Sequence, residues 1–296
     1  MKRSGGVQDA PSCLAVVVLT TGERPQELRR ALDSLRMQSE VEIEIVVIGN
    51  GSNPGVLGEG VRTVPLPENI GVPAARNLGA RLTKAPLIFF LDDDAWAESP
   101  VVLRDAIELF SRRPRLGAMQ TRITDVDGLT MRRWVPRVRI GDPASPGPAF
   151  TLAEGVTFVR RAAFEAAGGW ADDFFYGHEG IELTWRLWDA GWDVHYAGDL
   201  VMHHPSTRPD RHSVFYRLNA RNRVWLARRN LPVALIPIYV AAWMAVTVTR
   251  LARQPADLRV WCYGFVEGWK TSPGVRRPMR WRTVARLARL GHPPII

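Results

Sequence analysis

Cysteine is scarce in this sequence, and the two cysteines present form no recognisable pattern. Cys13 and Cys262 lie far apart in a chain of 296 residues, so neither a disulfide framework nor a zinc site is expected. So low a cysteine content is typical of a reducing compartment. The apolar run Leu14–Leu19 is too short for the core of a secretion signal. These features favour a cytoplasmic protein, and the length is ample for a sizeable core.

Acidic residues are nearly absent from the last quarter of the chain. From Arg221 onwards there are 14 Lys and Arg residues against 2 Asp and Glu residues. A segment this basic can bind nucleic acid, an anionic membrane surface or an acidic partner. The sequence contains no helix-turn-helix, zinc finger or aromatic stacking motif, so nucleic acid is not an expected partner.

A long uncharged segment lies within this basic part of the chain. Residues 231–249 contain no charged residue and approach the length of a membrane span, but Pro232 and Pro237 are expected to interrupt the first turns. Beyond residue 260, Trp and Tyr alternate with Arg, which suits the headgroup layer of a membrane. We therefore expect a helical, basic C-terminal region lying peripherally on the cytoplasmic face of the cell membrane. A helical subdomain that packs on the core or in a homodimer interface is the alternative.

Strand-like and helix-like segments alternate over the first hundred residues. Four apolar segments are expected to be strands: 14–18, 43–48, 61–66 and 86–91. Continuous apolar strands separated by helices predict an α/β fold with a mostly parallel central sheet flanked by helices. Ligands of such sheets bind beyond the carboxyl ends of the strands. Polar segments follow three of the strands, at 20–25, 49–52 and 92–94.

Three adjacent carboxylates, Asp92, Asp93 and Asp94, directly follow the apolar strand that ends at Leu91. Carboxylates in such proximity repel one another unless a cation offsets their charge. Oxygen ligands of this kind suit Mg²⁺ or Mn²⁺, which bridge to the phosphates of a nucleotide. An acidic turn that only caps the next helix is the alternative interpretation.

An ordered set of motifs resembles the family 2 glycosyltransferases, and within them the bacterial rhamnosyltransferase-like group. The motifs are Thr20-Thr-Gly-Glu-Arg24-Pro25, Asn50-Gly-Ser52, Asn69-Ile-Gly71, Ala75-Arg76-Asn77, Leu91-Asp-Asp-Asp94, Gly168-Gly-Trp170 and Glu179-Gly-Ile-Glu182-Leu. The resemblance covers roughly residues 14–230. It implies a GT-A fold and an inverting, metal-dependent transfer of a sugar from a nucleoside diphosphate sugar to an acceptor hydroxyl.

The resemblance also implies an organisation and a set of ligand contacts. It places a nucleotide-binding half at 11–100, an acceptor and catalytic half at 101–222, and the basic region at 223–296. Nucleotide contacts are expected from Thr20, Arg24, Asn50, Asn69, Arg76, Asp92 and Asp93. The metal, Mn²⁺ or Mg²⁺, is expected to be held by Asp94, Asp92 and His203, which we favour over its neighbour His204 because adjacent residues in an extended chain point opposite ways. A UDP- or dTDP-linked donor and a glycan or lipid-linked acceptor are the expected substrates.

The catalytic motif departs from the usual Glu-Asp-x-Asp-Leu pattern of the family. Gly180 stands where many members have an Asp that acts as the base, and Gly49 stands where many have an Asp before the Asn-Gly-Ser motif. We expect Glu179, at the start of a helix, to be the base, with Glu182 as the alternative. Acceptor contacts are expected from Trp170, Asp173, His178 and Trp185. The Arg-, Pro- and Gly-rich excursion at 125–148 is expected to face the acceptor.

Two other functions fit parts of the sequence. A nucleotidyltransferase that makes the activated sugar can share this kind of sheet, but the glycine-rich basic loop it needs is absent from Thr20–Pro25. A catalytically inactive sugar-nucleotide binder fits the replacements at Gly49 and Gly180.

Overall fold

The computed structural model describes residues 13–137, 141–206 and 214–295. The strands of these residues are β1 (Cys13–Thr20), β2 (Glu42–Gly49), β3 (Val61–Pro65), β4 (Leu87–Asp92), β5 (Leu116–Thr124), β6 (Gly147–Pro148), β7 (Val156–Arg160) and β8 (Asp193–His203). The helices are α1 (Pro25–Arg36), α2 (Val72–Arg81), α3 (Val102–Arg112), α4 (Arg161–Ala167), α5 (Glu179–Ala190), α6 (Phe215–Asn230), α7 (Ile236–Leu251), α8 (Pro255–Lys270) and α9 (Trp281–Arg289).

The strands form one mixed sheet in the order β3-β2-β1-β4-β7-β5-β8-β6. Strands β3, β2, β1 and β4 are mutually parallel, and β8 is parallel to β5. Strand β7 runs antiparallel between β4 and β5 and so joins the two predicted halves into a single sheet. The predicted α/β fold with a mostly parallel sheet is therefore confirmed.

Strand β1 is buried because it contributes to a hydrophobic core on each face of the sheet. Val17 and Leu19 belong to the core on the side of α2 and α5, whereas Val16 and Val18 belong to the core on the side of α1 and α3. This explains the continuous apolar pattern of the segment, which has no polar face. On one side the helix comes very close, since a Cβ added to Gly79 of α2 would lie 2.3 Å from a methyl carbon of Val17.

Helices α6, α8 and α9 pack on the rest of the protein. Asn222 of α6 donates hydrogen bonds to three backbone carbonyls between Phe174 and Gly177, at 2.8–2.9 Å. Leu287 of α9 belongs to the core on the α2 side, and the Arg286 side chain lies 2.7 Å from Asp193 at the start of β8. The proposed boundary at residue 222 falls inside α6. For these helices, the alternative of a helical region packed on the core describes the structure.

Helix α7 differs from these neighbours because most of its surface faces outwards. Residues Val233–Leu251 form a helical segment of 19 residues that is, by length and composition, apolar enough to cross a membrane, and only 11% of its apolar 18-residue window is buried. Pro237 was expected to interrupt this segment, and that prediction is wrong. The residue lies in the first turn of α7, where the N–H that proline lacks would have no helical partner.

Candidate functional site

A cavity of about 880 Å³ opens beyond the carboxyl ends of β1 and β4. Its wall includes nine residues that the sequence analysis selected: Thr20, Arg24, Asn69, Arg76, Asp92, Asp93, Asp94, His178 and Glu179. They come from the ends of two parallel strands, the start of α2, and the start of α5. Motifs that are distant in sequence therefore meet in one cavity at the carboxyl edge of the sheet, where ligands of such sheets bind.

Two arginines and a hydroxyl contact the carboxylates of the acidic triplet. The Asp93 carboxylate accepts a hydrogen bond from the Thr20 hydroxyl at 2.6 Å and lies 2.8 Å from the Arg24 guanidinium, which also contacts Asp94. Arg76 Nη2 lies 2.7 Å from Asp92 Oδ1. Since each carboxylate has its own partner, the three can be held side by side.

The pKa values of Asp92 and Asp93 are shifted in opposite directions. Burial opposes ionisation of Asp92, but Arg76 and His204 together outweigh it and hold the pKa of that carboxyl well below its usual range. For Asp93, burial is the stronger influence and raises the pKa despite the Thr20 hydrogen bond and the Arg24 charge. The ionised form of Asp92, which lies in the cavity wall, is therefore favoured.

Asp92, Asp94 and His204 form a group suited to a divalent metal. One ligand atom from each residue lies within 4.8 Å of the others, and His204 Nε2 is 3.2 Å from Asp94 Oδ1 and 3.8 Å from Asp92 Oδ2. Two carboxylate oxygens and one imidazole nitrogen are a donor set that Mn²⁺ accepts readily, and Mg²⁺ through the oxygens. The residues present therefore fit the expected metal.

The prediction that His203 rather than His204 faces the carboxylates is wrong. His203 Nδ1 lies 2.9 Å from the Thr124 hydroxyl and Nε2 lies 3.0 Å from Glu98, while its ring stacks on Trp96 at 5.1 Å. The rule that neighbours point opposite ways holds. What the sequence could not supply is the bridge between Trp96 and His203, which turns His203 outwards and His204 towards the cavity.

Asn50 supports the cavity wall from behind. Its Nδ2 donates to Asn69 Oδ1 at 2.9 Å, and its Oδ1 accepts from the Ile70 backbone N–H at 2.9 Å. Asn69 Oδ1 also accepts from the Gly71 N–H. Asn50 thereby holds the loop that carries Asn69 into the cavity wall. Asn50 was predicted to contact the nucleotide directly, but in the structure it positions Asn69 instead.

Glu182, the alternative base, faces away from the cavity. Its side chain is 0% exposed, and its oxygens accept from Arg186 Nε at 2.8 Å, Arg229 Nε at 2.7 Å and Asn230 Nδ2 at 3.2 Å. This network joins α5 to α6. The prediction of Glu182 as a base is wrong because both carboxylate oxygens are already bound by Arg186 and Arg229.

Three of the four expected acceptor contacts also lie elsewhere. Trp170 is buried against Phe90, and Trp185 is buried against Tyr239, so both are core residues and the prediction that they line a sugar groove is wrong. Asp173 lies outside the cavity wall, where its backbone carbonyl accepts from Arg221. Of the four, His178 lines the cavity.

His178 and Glu179 begin α5 and face the cavity together. His178 has a left-handed backbone conformation with φ of 74°, and burial, reinforced by the Arg223 charge, keeps its pKa well below the usual value. The imidazole is therefore neutral. Glu179 is 3% exposed, and burial together with the neighbouring Glu154 carboxyl raises its pKa to about 8.

Glu154 and Trp134 are among the residues of the cavity wall that sequence reasoning missed. Glu154 precedes β7 and accepts a hydrogen bond from the Gly180 N–H at 2.6 Å, a contact across 26 residues that no local pattern announces. Trp134 comes from the excursion at 125–148, whose general position had been expected. Its ring lies 6.1 Å from that of His204.

Comparisons of the sequence with known proteins identify the family of the chain. The family model described as "Glycosyl transferase family 2" matches residues 15–167, which is more than half of the chain. A curated relative from Mycobacterium tuberculosis is 27% identical over 283 residues, covering 74% of this chain and 90% of its own length. That relative is named N-acetylglucosaminyl-diphospho-decaprenol L-rhamnosyltransferase.

Solved structures share the fold at low sequence identity. GalNAc-T7 with UDP, GalNAc and Mn²⁺ matches with a TM-score of 0.62 and 16% identity over 97% of this chain, which spans 59% of that larger protein. The mannosyltransferase PcManGT of Pyrobaculum calidifontis, with GDP-Man and Mn²⁺, matches with a TM-score of 0.56 and 16% identity, covering 96% and 80% of the two chains. S. aureus TarS 1-349 with UDP-GlcNAc matches with a TM-score of 0.58 and 14% identity, covering 92% and 83%. The chain has the GT-A fold and belongs to glycosyl transferase family 2, whose members use nucleotide sugars as donors.

Proposed function

We propose that this protein transfers a sugar, with inversion at its anomeric carbon, from a nucleoside diphosphate sugar to a hydroxyl of a lipid-linked glycan. The observation that carries the proposal is the presence, in one cavity, of a metal-type group, an arginine and two neighbouring carboxyls. The first two suit a leaving diphosphate, and the third suits an acceptor hydroxyl.

Arg76 is the residue best placed to bind the diphosphate. Its Nη2 is held by Asp92, whereas its Nε and Nη1 are buried and have no hydrogen-bond partner within the described ranges. Buried donors without partners are costly, so a ligand oxygen that accepts from them would bind favourably. Thr20, Arg24, Asn69 and Asp93 complete the donor side of the cavity wall.

Asp92, Asp94 and His204 would hold Mn²⁺ or Mg²⁺. Such an ion, when bound, stabilises the negative charge that develops on a departing diphosphate. The chain's own contribution is to keep two carboxylates in the same place, by means of Arg76 on Asp92 and Arg24 on Asp94. Arg24 is half-exposed and can rearrange when the charges around Asp94 change.

The acceptor side requires a group that removes a proton. In a single displacement the acceptor oxygen bonds to the anomeric carbon as the bond to the diphosphate breaks, and the hydroxyl proton must pass to a base within hydrogen-bond reach. Glu179, the first residue of α5, and Glu154, whose side chain contacts the Gly180 N–H of that helix, are the carboxyls on this side of the cavity. We assign the base to this pair, of which Glu179 was selected from the sequence.

The relatives support a choice of donor and acceptor classes. The structural neighbours hold UDP, UDP-GlcNAc or GDP-Man, and the mycobacterial relative is named for rhamnose transfer to a decaprenol-linked sugar. We therefore propose a UDP- or dTDP-linked donor and a polyprenyl-diphosphate glycan acceptor. The 90% coverage of that relative supports the transfer of its acceptor class to this chain.

Such an acceptor resides in a membrane, and the C-terminal region has a surface suited to one. Ile238, Met244 and Val248 of α7 are exposed, and so are Tyr263 and Trp269 of α8. The basic residues of the region would add roughly 1 kcal/mol each near anionic lipid. We propose peripheral binding to the cytoplasmic face of the membrane.

Vesicle flotation tests this binding with the full chain. Wild-type protein should float with vesicles that contain phosphatidylglycerol, and the double variant Met244→Ser/Val248→Ser should float much less. Val56→Ser, which removes a still more exposed apolar side chain from the loop between β2 and β3, is the control and should float like the wild type. Wild-type protein that stays in the soluble fraction at low salt would contradict membrane binding.

A substrate panel tests the activity itself. The protein is incubated with Mn²⁺, a decaprenyl-diphosphate-linked N-acetylglucosamine and, in turn, dTDP-rhamnose, UDP-GlcNAc and GDP-mannose. We expect one donor to yield nucleoside diphosphate and a glycosylated lipid in equal amounts. Donor binding without either product would favour an inactive binder, and formation of the nucleotide sugar from a sugar phosphate and a nucleoside triphosphate would favour a nucleotidyltransferase.

A further inference from the structure

The space that a side chain of residue 180 would occupy is filled by another carboxylate. A Cβ built on Gly180 would lie 2.3 Å from Glu154 Oε1 and 2.2 Å from the Leu152 carbonyl oxygen, both far inside contact distance. An aspartate cannot stand at position 180 while Glu154 is in this place. The absence of a carboxylate at position 180 and the presence of the Glu154 carboxylate in that space therefore belong to the same packing arrangement.

The Glu154 carboxylate is held by the beginning of α5. Its Oε1 accepts the Gly180 N–H at 2.6 Å, and the N-terminus of a helix favours a negative charge through its free N–H groups and dipole. Glu154 also lines the cavity and is only half-buried. It is thus both oriented and open to a ligand.

Glu179 is more enclosed than Glu154. It is almost fully enclosed, and its Oε2 has no hydrogen-bond partner in the described part of the chain. Two neighbouring carboxyls in a buried site cannot both ionise readily, so they share a proton. Burial raises the pKa of both groups, but Glu154 has the helix N–H and solvent access, so the charge rests on Glu154 and the proton on Glu179.

We propose that Glu154, bound at the Gly180 N–H in place of the missing residue-180 carboxylate, is the base that takes the proton from the acceptor hydroxyl. This assignment rests on the proposed transferase function. The hydroxyl oxygen bonds to the anomeric carbon, its proton passes to the Glu154 carboxylate, and the electrons of the broken bond leave with the nucleoside diphosphate. Glu179 remains protonated beside it and orients the pair.

The competing explanation is that Glu154 only caps α5. The variant Glu154→Gln separates the two roles, because an amide oxygen still accepts the Gly180 N–H but cannot take up a proton at neutral pH. We expect kcat to fall roughly 10²–10⁴-fold, with the Kd for nucleoside diphosphate within about 2-fold and the melting temperature near that of the wild type. If Glu154→Gln keeps kcat within about 3-fold of the wild type, Glu154 is a cap and the proposal is overturned.

Two further variants keep the test decisive. Glu154→Asp retains a carboxylate and should recover part of the activity that Glu154→Gln loses. Glu179→Gln imitates the protonated form and should lose less than about 10-fold in kcat, so the reverse order of the two glutamine variants would make Glu179 the base. Transfer by the wild-type enzyme is measured in the same assay, because its absence refutes the transferase function rather than the role of Glu154.

Discussion

Replacement of Glu182 by glutamine is expected to destabilise the fold and leave the chemical step of sugar transfer largely intact. The Glu182 carboxylate is completely buried and is shared by Arg186 of the same helix and Arg229 of α6. Glutamine has nearly the same volume, so the change opens no cavity. It removes the single negative charge that faces two buried guanidinium groups.

The size of the effect follows from the loss of one partner in a buried ion pair, which costs about 3–5 kcal/mol. Here the lower end applies, because Arg186 Nη2 also donates to the Gly169 carbonyl at 2.7 Å and Arg229 Nη1 to the Pro273 carbonyl at 3.0 Å. At about 2–4 °C per kcal/mol for a chain of 150–250 residues or somewhat more, about 3 kcal/mol corresponds to a melting temperature lowered by roughly 6–12 °C.

Thermal unfolding followed by circular dichroism measures this difference. Glu165→Gln is the matched control, since Glu165 is 65% exposed and lies 3.9 Å from Arg161 of its own helix, a surface pair worth about 0–1 kcal/mol. Its melting temperature should stay within about 2 °C of the wild type. A Glu182→Gln protein that melts like the wild type, or one that keeps its stability and loses kcat by 10²-fold or more, would refute the structural role.

Three further predictions concern the cavity. Asp94→Asn should abolish the Mn²⁺-dependent part of nucleoside diphosphate binding in calorimetry, and unchanged binding by this variant would contradict the metal assignment. His204→Ala should raise the Mn²⁺ concentration needed for half-maximal activity at least about 10-fold, whereas His203→Ala should leave it unchanged; the opposite pattern would restore His203 as the ligand. For Glu179, the pKa in the folded protein, about 8, exceeds the ordinary value of 4.5. Between these two values the folded protein therefore binds more protons than the unfolded chain. The stability that this carboxyl contributes is present below pH 4.5 and is lost as the pH rises through 8. Urea unfolding of Glu179→Gln should therefore show a flatter decline of stability between pH 5 and 8 than the wild type, and parallel curves would refute the raised pKa.

The sequence was sufficient to predict the four parallel strands β1 to β4, because the apolar pattern that identifies them is local. Segments such as Leu87–Leu91 are apolar throughout and too short for buried helices, which identifies strands covered on both faces. The order of polar segments at the strand ends then predicted where the cavity lies, and the structure brings Thr20, Arg76 and the acidic triplet together at that edge.

The errors concern contacts between residues that are distant in sequence. Whether Glu182 faces the cavity or the core depends on Arg229, 47 residues later, and whether His203 or His204 faces Asp94 depends on the bridge to Trp96. Glu154 reaches Gly180 across 26 residues. Helix and strand periodicity predicts which residues share one face of an element, but not which neighbouring element covers that face.

The tryptophans illustrate the same limit for composition. Trp170 and Trp185 follow motifs of the acceptor half, yet both rings fill the core beside Phe90 and Tyr239. Large aromatic side chains stabilise a core strongly, and a sequence motif does not distinguish that role from sugar stacking. Trp134, which does line the cavity, comes from a segment without a recognised motif.

The position of a bound nucleoside diphosphate tests the central claim most directly. A crystal structure of the full chain soaked with Mn²⁺ and the nucleoside diphosphate released from its donor would locate both ligands. We expect the diphosphate to lie in the cavity beside Arg76 and the ion to lie between Asp94 and His204, with Glu154 facing the open space beyond. A nucleotide bound elsewhere on the protein, or an ion that contacts neither Asp94 nor His204, would contradict it.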